Sequence, residues 1–406
     1  MRDSANGEGQ ERLLADIRSL CAIQRPSASA GEREAAEWVA SRLREMGFEA
    51  AVEEFRFRPA YWTAWGIHVS SAALAGIASL LSRRLAGPAA VISSLLAISF
   101  WGDLTTGFHW LRNLLPAESG YNVLGRLPNP NAKRVLVVSA HHDAPHSGAV
   151  FHPGLARWLR PRSGPAREQP AILQLPFAAI LTVTAASLLR AGGLPPLFWR
   201  GPLRLAVLLN GVTAALLADI GRSPVSPGAN DNASGVAAVL ALAEEFKRRP
   251  PPNLEVWFLS AGCEEAIMGG MLAFGRRHFP ELATRRPFFL NFEVLGSGRV
   301  SYMDGEGFLK LYPYHREAVE LAAEVASERG FEEVTSHTIR FGTDALVPTR
   351  RGFPAITVDS TSESGWISNY HWPTDTPENI DVSSVQRAVA FARRMVELLD
   401  ERAASS

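Results

Sequence analysis

Apolar positions recur along the chain at two different spacings, and long uncharged stretches interrupt both. Residues 11–22 place Leu13, Leu14, Ile17, Leu20 and Cys21 on one helical face. A second amphipathic helix follows, in which Ser29 and Glu32 have the form of a capping box. Ala35, Ala36, Val39, Leu43 and Met46 make its stripe, and Gly47 supplies the stop. Residues 48–57 read as extended. Strands are then expected at 121–127, 133–140, 254–261, 287–294 and 354–358, and helices near 234–249, 265–278, 313–329 and 383–401. Pro250, Pro251 and Pro252 end the helix that starts at 234. This alternation predicts an α/β fold with a mixed, mostly parallel sheet sandwiched by helices.

The interruptions have a different character. Residues 61–81 and 85–102 contain no Asp, Glu, Lys or Arg, with Arg83 and Arg84 between them. Residues 170–189 are uncharged and mostly apolar, Arg190, Arg200 and Arg204 follow, and 205–218 are apolar again. By length these are two transmembrane helical hairpins, the segment 205–218 being marginal. Pro88, Pro176, His68, Gln174 and Asn210 favour the alternative, buried helices of a soluble lid or dimer interface. The chain thus divides into an N-terminal α/β part (1–60), a hairpin (61–105), more of the α/β domain (106–156), an Arg-rich connector with the second hairpin (157–222), and the C-terminal α/β part (223–406).

At 406 residues, 47% hydrophobic and 20% charged, with zero formal net charge, the composition is globular and argues against a nucleic-acid partner. Cys21 and Cys263 are too few for a disulfide framework or a Cys-rich zinc site. Asp3, Glu8, Glu11, Arg12 and Asp16 occupy the place of a leader's apolar region, so the N-terminus is expected in the cytosol.

Candidate chemistry gathers at strand ends. His141, His142 and Asp143 close the 133–140 strand, where His141 and Asp143 share a face and His142 points away. A carboxylate beside a histidine fixes the ring and raises its basicity as a ligand, although histidines at strand ends are more often structural. Asp231 lies in GANDNASG, residues 228–235, at a helix mouth. An ordinary helix cap is the plain explanation there, and a carboxylate bridging two cations the sharper one. Glu264 and Glu265 follow the 254–261 strand as adjacent, mutually repelling carboxylates, which suits one metal ligand beside one base, or else a solvated helix N-terminus. Glu293 ends an apolar strand, and His371 lies in a loop rich in Pro, Thr and Asp.

The words AHHD (140–143), PGANDNASG (227–235), GCEEAIMGG (262–270), NFEVLGSG (291–298), FGTDALVPTRRGFPAITV (341–358) and YHWPTDTPENID (370–381) occur in this order. Together they resemble the di-zinc exopeptidases of clan MH, which include bacterial leucyl aminopeptidases and relatives of glutamate carboxypeptidase. The resemblance implies two Zn2+ per chain, one held by His141, Asp231 and Glu293 and the other by Asp231, Glu265 and His371. It also implies Glu264 as general base, Asp143 orienting His141, and hydrolysis of peptide bonds at chain ends, aminopeptidase ahead of carboxypeptidase. Two features depart from the family: Glu293 stands where Asp is usual, and ninety positions separate His141 from Asp231, so the second hairpin is placed to roof the site. A single-zinc glutaminyl cyclase and a non-catalytic receptor or scaffold are the alternatives, the latter disfavoured because every ligand position is filled. No G-x-S-x-G or G-x-G-x-x-G word occurs, which argues against a serine hydrolase and a Rossmann reductase.

The expected partners are a peptide substrate and the lipid bilayer; nothing in the pattern speaks to oligomeric state. Two hairpins leave all catalytic pieces on one side of the membrane. Arg42, Arg44, Arg56 and Arg58 place that side in the cytoplasm, against the contrary weight of Arg83, Arg84 and the Arg190–Arg204 turn.

Overall fold

Period-two and helical patterning alternate along the catalytic segments, and the elements follow. The computed structural model describes residues 2–155, 172–363 and 365–405, with side chains from Gly7 onward. The Arg-rich connector ahead of the second hairpin, up to residue 171, therefore lies outside the described residues. Helices α1 (Arg2–Cys21) and α2 (Ala30–Glu45) precede β1 (Glu49–Phe57). Half of the predicted capping box forms: Ser29 Oγ accepts from the Glu32 amide at 3.1 Å. The Glu32 carboxylate turns inward instead and accepts from the backbone amides of Ala28, Tyr121 and Cys263. Burial, with Asp143 nearby, pushes its carboxyl up to about 8.

The sheet has nine strands, which add β2 (Glu118–Leu127), β3 (Arg134–His141), β4 (Leu254–Ala261), β5 (Pro287–Phe292), β6 (Arg299–Glu306), β7 (Tyr312–Pro313), β8 (Thr335–Thr338) and β9 (Ala355–Thr361). Their order is β1-β2-β4-β3-β5-β9-β6-β7, with β8 beside β6. Pairing is parallel through β4, β3, β5 and β9. It is antiparallel for β1–β2, β2–β4, β6–β9 and β6–β7. With β6–β8 also parallel, the sheet is mixed, four pairings parallel and four antiparallel among the described residues, so the expectation of mostly parallel pairing holds for the centre but not for the sheet as a whole. Residues 293–298, between β5 and β6, are too few for a crossover helix, so β6 returns antiparallel beside β9. Every residue of β3, β4 and β5 is buried, as two-sided coverage by helices requires. The covering helices include α7 (Ser234–Arg248), α8 (Gly269–Leu282), α9 (Arg316–Ala326), the short α10 (Leu346–Arg350) and α11 (Val382–Ala404).

The uncharged stretches fold as helices α3 (Tyr61–Leu81), α4 (Ala86–Leu104), α5 (Gln174–Ala191) and α6 (Pro196–Ile220), packed on one another. All four are long and apolar enough to cross a membrane, by length and composition. The last is longer than 205–218: it starts with Pro196 at its first turn and takes in Arg200, Pro202 and Arg204. Polar groups face inward, with Ser99 Oγ 2.9 Å from His68 Nε2 and Thr184 Oγ1 2.8 Å from Ser93 Oγ. Large apolar side chains such as Leu74, Leu95, Leu181, Leu205 and Leu208 are exposed. One hydrophobic core runs from the catalytic domain into this bundle through Trp65, Val69, Phe100, Leu104, Ile180, Leu217 and Ile220.

Candidate metal centre

Three neighbouring parallel strands open into one crevice. In β3, His141 stands opposite Ala261 of β4, and Ser139 opposite Asn291 of β5. The segments that leave the carboxyl ends of these strands therefore meet, which is where open α/β sheets place ligands. His141 is the last residue of β3, and Glu293 follows β5, its amide donating to the Val358 carbonyl at 3.0 Å.

Glu264 and Glu265 sit on a loop beyond β4. The helix expected from 265 begins only at Gly269, because Cys263, Ile267 and Met268 adopt left-handed φ of 53°, 74° and 55°. Neither acid is a helix-terminal decoration. Asp143 Oδ1 accepts from the Glu264 amide at 3.0 Å, and its Oδ2 from the Glu265 amide at 3.1 Å and from Ser27 Oγ at 2.6 Å. Asp143 also meets His141 Nδ1, through its carbonyl oxygen at 3.1 Å and its carboxylate at 3.4 Å. Its orienting contact thus comes mainly from the backbone, while the carboxylate fixes the two glutamates. His142 points the other way, to Ser260 Oγ, and burial pushes its imidazole down to about 4.

At the mouth of α7 capping falls to a different residue from the aspartate. Asn232 Oδ1 accepts from the amides of Gly235 (3.1 Å) and Val294 (3.2 Å), which leaves the Asp231 carboxylate uncommitted to the helix. Arg25 holds the approach by donating to the carbonyls of Pro227 (2.8 Å) and Gly228 (2.7 Å). Gly228 has φ 66°, and a Cβ there would lie 2.5 Å from the Asp231 carbonyl oxygen. Asp375 accepts from the amides of Asn230 (2.8 Å) and Asp231 (3.1 Å). Asp375→Ala would leave both buried amides unpaired and is expected to lower stability by roughly 1–3 kcal/mol for each, measured by denaturant melts.

Asp231 then reaches two histidines at once. Its Oδ1 lies 3.2 Å from His141 Nε2 and its Oδ2 3.2 Å from His371 Nε2. His141 Nε2 is 3.0 Å from Glu293 Oε1 and 3.9 Å from Glu264 Oε2, and His371 Nε2 is 3.3 Å from Glu265 Oε2. The His371 ring is stacked on Tyr370 (3.9 Å between centroids) and packs on Phe151 (4.4 Å). All seven residues singled out from the sequence converge. Two donor groups, His141/Asp231/Glu293 and Asp231/Glu265/His371, share Asp231, and a third joins His141, Glu264 and Glu265, with the donor atoms of each within 4.8 Å of one another.

The electrostatics describe a place short of positive charge. Burial raises the carboxyls of Glu264 and Glu265 well above, and Glu293 above, their ordinary value, with neighbouring carboxylates adding to each shift. Against burial, Glu293, Asp143 and Asp231 raise the His141 imidazole well above its own. Hydrogen bonds to His141 and His371 hold Asp231 well below the usual carboxylate range despite its burial. Glu265 Oε1 and both oxygens of Asp344 are buried without a hydrogen-bond partner among the described residues. Burial, then Glu293 and Asp143, push Asp344 up to about 8. Clustered hard oxygen donors, two imidazoles and orphaned carboxylate oxygens fit a pair of divalent cations, zinc among them. Beside these groups lies a cavity of about 450 Å3, open mouth included, walled by Val294, Met303, Ile339, Phe341, Ile367 and Tyr370.

The sequence model described as "Peptidase family M28" matches residues 217–396, the stretch carrying Asp231, Glu264, Glu265, Glu293 and His371. Over this stretch the chain is similar to that family, and with the folds below this supports a zinc-dependent exopeptidase. Among solved structures, the chain is similar to a zinc aminopeptidase from Bacillus subtilis, at 14% identity and a TM-score of 0.56 over 95% of this chain and 94% of that one. It is also similar to an aminopeptidase from an Aneurinibacillus species (12%, TM-score 0.54, 95% and 93% covered). A Zn-dependent exopeptidase from Parabacteroides distasonis matches at 13%, with a TM-score of 0.52 over 96% and 97% of the two chains. At such identities the likeness is one of fold. No curated protein matches the chain by sequence. Sequence reasoning passed over Asp344, Asp375, Arg25 and the inward carboxylate of Glu32. Asp344 and Asp375 lie inside motif words quoted above, but nothing local set them apart from loop acids.

Proposed function

We propose that the chain is a membrane-anchored di-zinc aminopeptidase, with one ion held by His141, Asp231 and Glu293 and the other by Asp231, Glu265 and His371. The observation that carries this reading is the single buried carboxylate, Asp231, presenting one oxygen to each of two histidines. Zinc bound there supplies Lewis acidity, polarising the scissile carbonyl and lowering the pKa of the attacking water. Glu264, held by its amide rather than by a histidine, takes the proton from that water and delivers it to the leaving amine. Asp143 keeps the His141 ring and the Glu264–Glu265 backbone in register.

Recognition of the amino end is supported by the charge of the cavity. Asp231, Glu264, Glu265, Glu293 and Asp359 line it, and none of its described lining residues is Lys or Arg. Two bound zinc ions would offset Asp231, Glu265 and Glu293, which leaves Glu264 and Asp359 as the lining acids that favour a chain-end ammonium, with no Lys or Arg among the described lining residues to pair a chain-end carboxylate. The Bacillus subtilis and Aneurinibacillus proteins of similar fold are aminopeptidases, which supports the same reading. Membrane anchoring is supported by the exposed apolar faces of α3–α6, and by exposed Trp110 and Leu114 just beyond the end of α4. Positive charge before the first segment favours a cytoplasmic catalytic domain.

Detergent-extracted protein is expected to bind about two zinc per chain and to hydrolyse leucine p-nitroanilide but not its N-acetyl derivative. Cleavage of the acetylated compound, or of N-blocked dipeptides in preference to free ones, would overturn the aminopeptidase reading. Release from membranes by alkaline carbonate would overturn the anchoring.

A further inference from the structure

The loop that carries Glu264 and Glu265 is held on three sides, and one hold comes from the helical bundle. Glu32 takes the Cys263 amide and Asp143 takes the next two. The carbonyl of Ala266, the residue after Glu265, accepts from Arg112 Nη1 at 2.9 Å. Arg112 stands in the short 3-10 turn Arg112–Leu114 and is 1% exposed. Its remaining nitrogens face Asp103 in the last turn of α4, with Nε 3.1 Å from both carboxylate oxygens and Nη2 2.5 Å from Oδ1. Asp103 is itself buried and meets Trp65 Nε1 of α3 at 3.4 Å, with His109 Nδ1 at 3.8 Å. Two bundle helices, a buried ion pair and the glutamate loop therefore form one continuous chain of contacts.

The loop needs such a hold. Cys263, Ile267 and Met268 are non-glycine residues at positive φ, a conformation that persists only where the surroundings impose it. The guanidinium fork satisfies Asp103 bidentately and still has one donor for Ala266, a geometry that lysine does not reproduce.

We propose that Arg112 is a positioning residue of the peptidase reaction, transmitting the placement of the α3–α4 hairpin to the base-bearing loop through Asp103 on one side and the Ala266 carbonyl on the other. The proposal rests on the hydrolase reading with Glu264 as base, but not on the bundle lying in a bilayer. Because Arg112 touches neither metal donors nor substrate, its loss should misplace Glu264 without emptying the site.

The test uses full-length, zinc-loaded enzyme. Arg112→Gln is expected to lower kcat by roughly 10–100-fold, the scale of an ångström-level misplacement, with KM and bound zinc close to wild type. A purely structural role would instead lower the folded fraction and leave kcat per zinc-loaded molecule unchanged. Breaking a buried pair can prevent folding, so the second variant is Asp103→Leu with Arg112→Met, which replaces the pair by apolar side chains and still removes the donor to Ala266. It should show the same loss of kcat at unchanged zinc. Wild-type kcat in either folded, zinc-loaded variant overturns the proposal, as does a loss that zinc content fully accounts for. Wild-type enzyme inactive on aminoacyl and dipeptide substrates would overturn the hydrolase reading itself and this proposal with it.

Discussion

Glu264→Gln is expected to lower kcat by roughly 10²–10⁴-fold, the range over which a positioned general base acts, with bound zinc unchanged. The amide is nearly isosteric with the carboxylate and keeps its backbone hydrogen bond to Asp143, so the loop should stay in place. What it loses is the ability to accept a proton from water at the pH of the reaction. Glu264 approaches His141 no closer than 3.9 Å, while Glu293 and Asp231 lie at 3.0 and 3.2 Å; it stands outside the two donor groups that share Asp231, although it forms a third with His141 and Glu265, so metal analysis is needed beside kinetics. Steady-state kinetics together with metal analysis decide the matter. A variant that keeps wild-type kcat would remove Glu264 from the base position, and one that loses zinc would make it a ligand.

Asp231→Ala is expected to weaken both zinc sites together by more than the roughly 10–100-fold seen when an outer partner of a ligand is removed, and to abolish hydrolysis. Removing His371 or Glu293 should deplete one ion and spare much of the other. The contrast follows from geometry, since only Asp231 belongs to both of the groups proposed to hold zinc. Calorimetric zinc titration of the apo variants would show one surviving site for His371→Ala and none of comparable affinity for Asp231→Ala. A surviving tight site in Asp231→Ala would show that the carboxylate does not bridge.

Most donors were legible in the sequence because His141 and Glu293 close apolar strands, Glu265 follows one and Asp231 opens an apolar helix; His371, in a polar loop, was legible only from the order of the motifs. What supports them was not. The Ser29–Glu32 pair reads as a local cap, yet the glutamate is committed to amides far along the chain at Tyr121 and Cys263. Asp375 looks like one of several acids in a polar loop, and only the fold brings it under the Asn230 and Asp231 amides. Arg112 sits in an unpatterned stretch between a hairpin and a strand. Strands were read well where both faces are buried, as in β3, β4 and β5. The β6–β8 region was missed, where β6 ends in Asp304, Gly305 and Glu306 and its neighbours have two and four residues. Hydrophobic periodicity reports what a segment buries, whereas a hydrogen bond across a hundred residues leaves no periodic trace.

The pairing of β1 with β2 has a consequence for how the polypeptide is assembled during synthesis. Glu49 lies opposite Arg126 and Phe57 opposite Glu118, so the whole α3–α4 hairpin is spliced between two strands that must zip together. In the same way α5 and α6 separate His141 from Asp231. A ribosome making this protein delivers helices and sheet in alternation, and the edge strand waits unpaired until the first hairpin has been placed and β2 has emerged. The order of synthesis thus makes completion of the bundle a precondition for the last metal donors to find their partners.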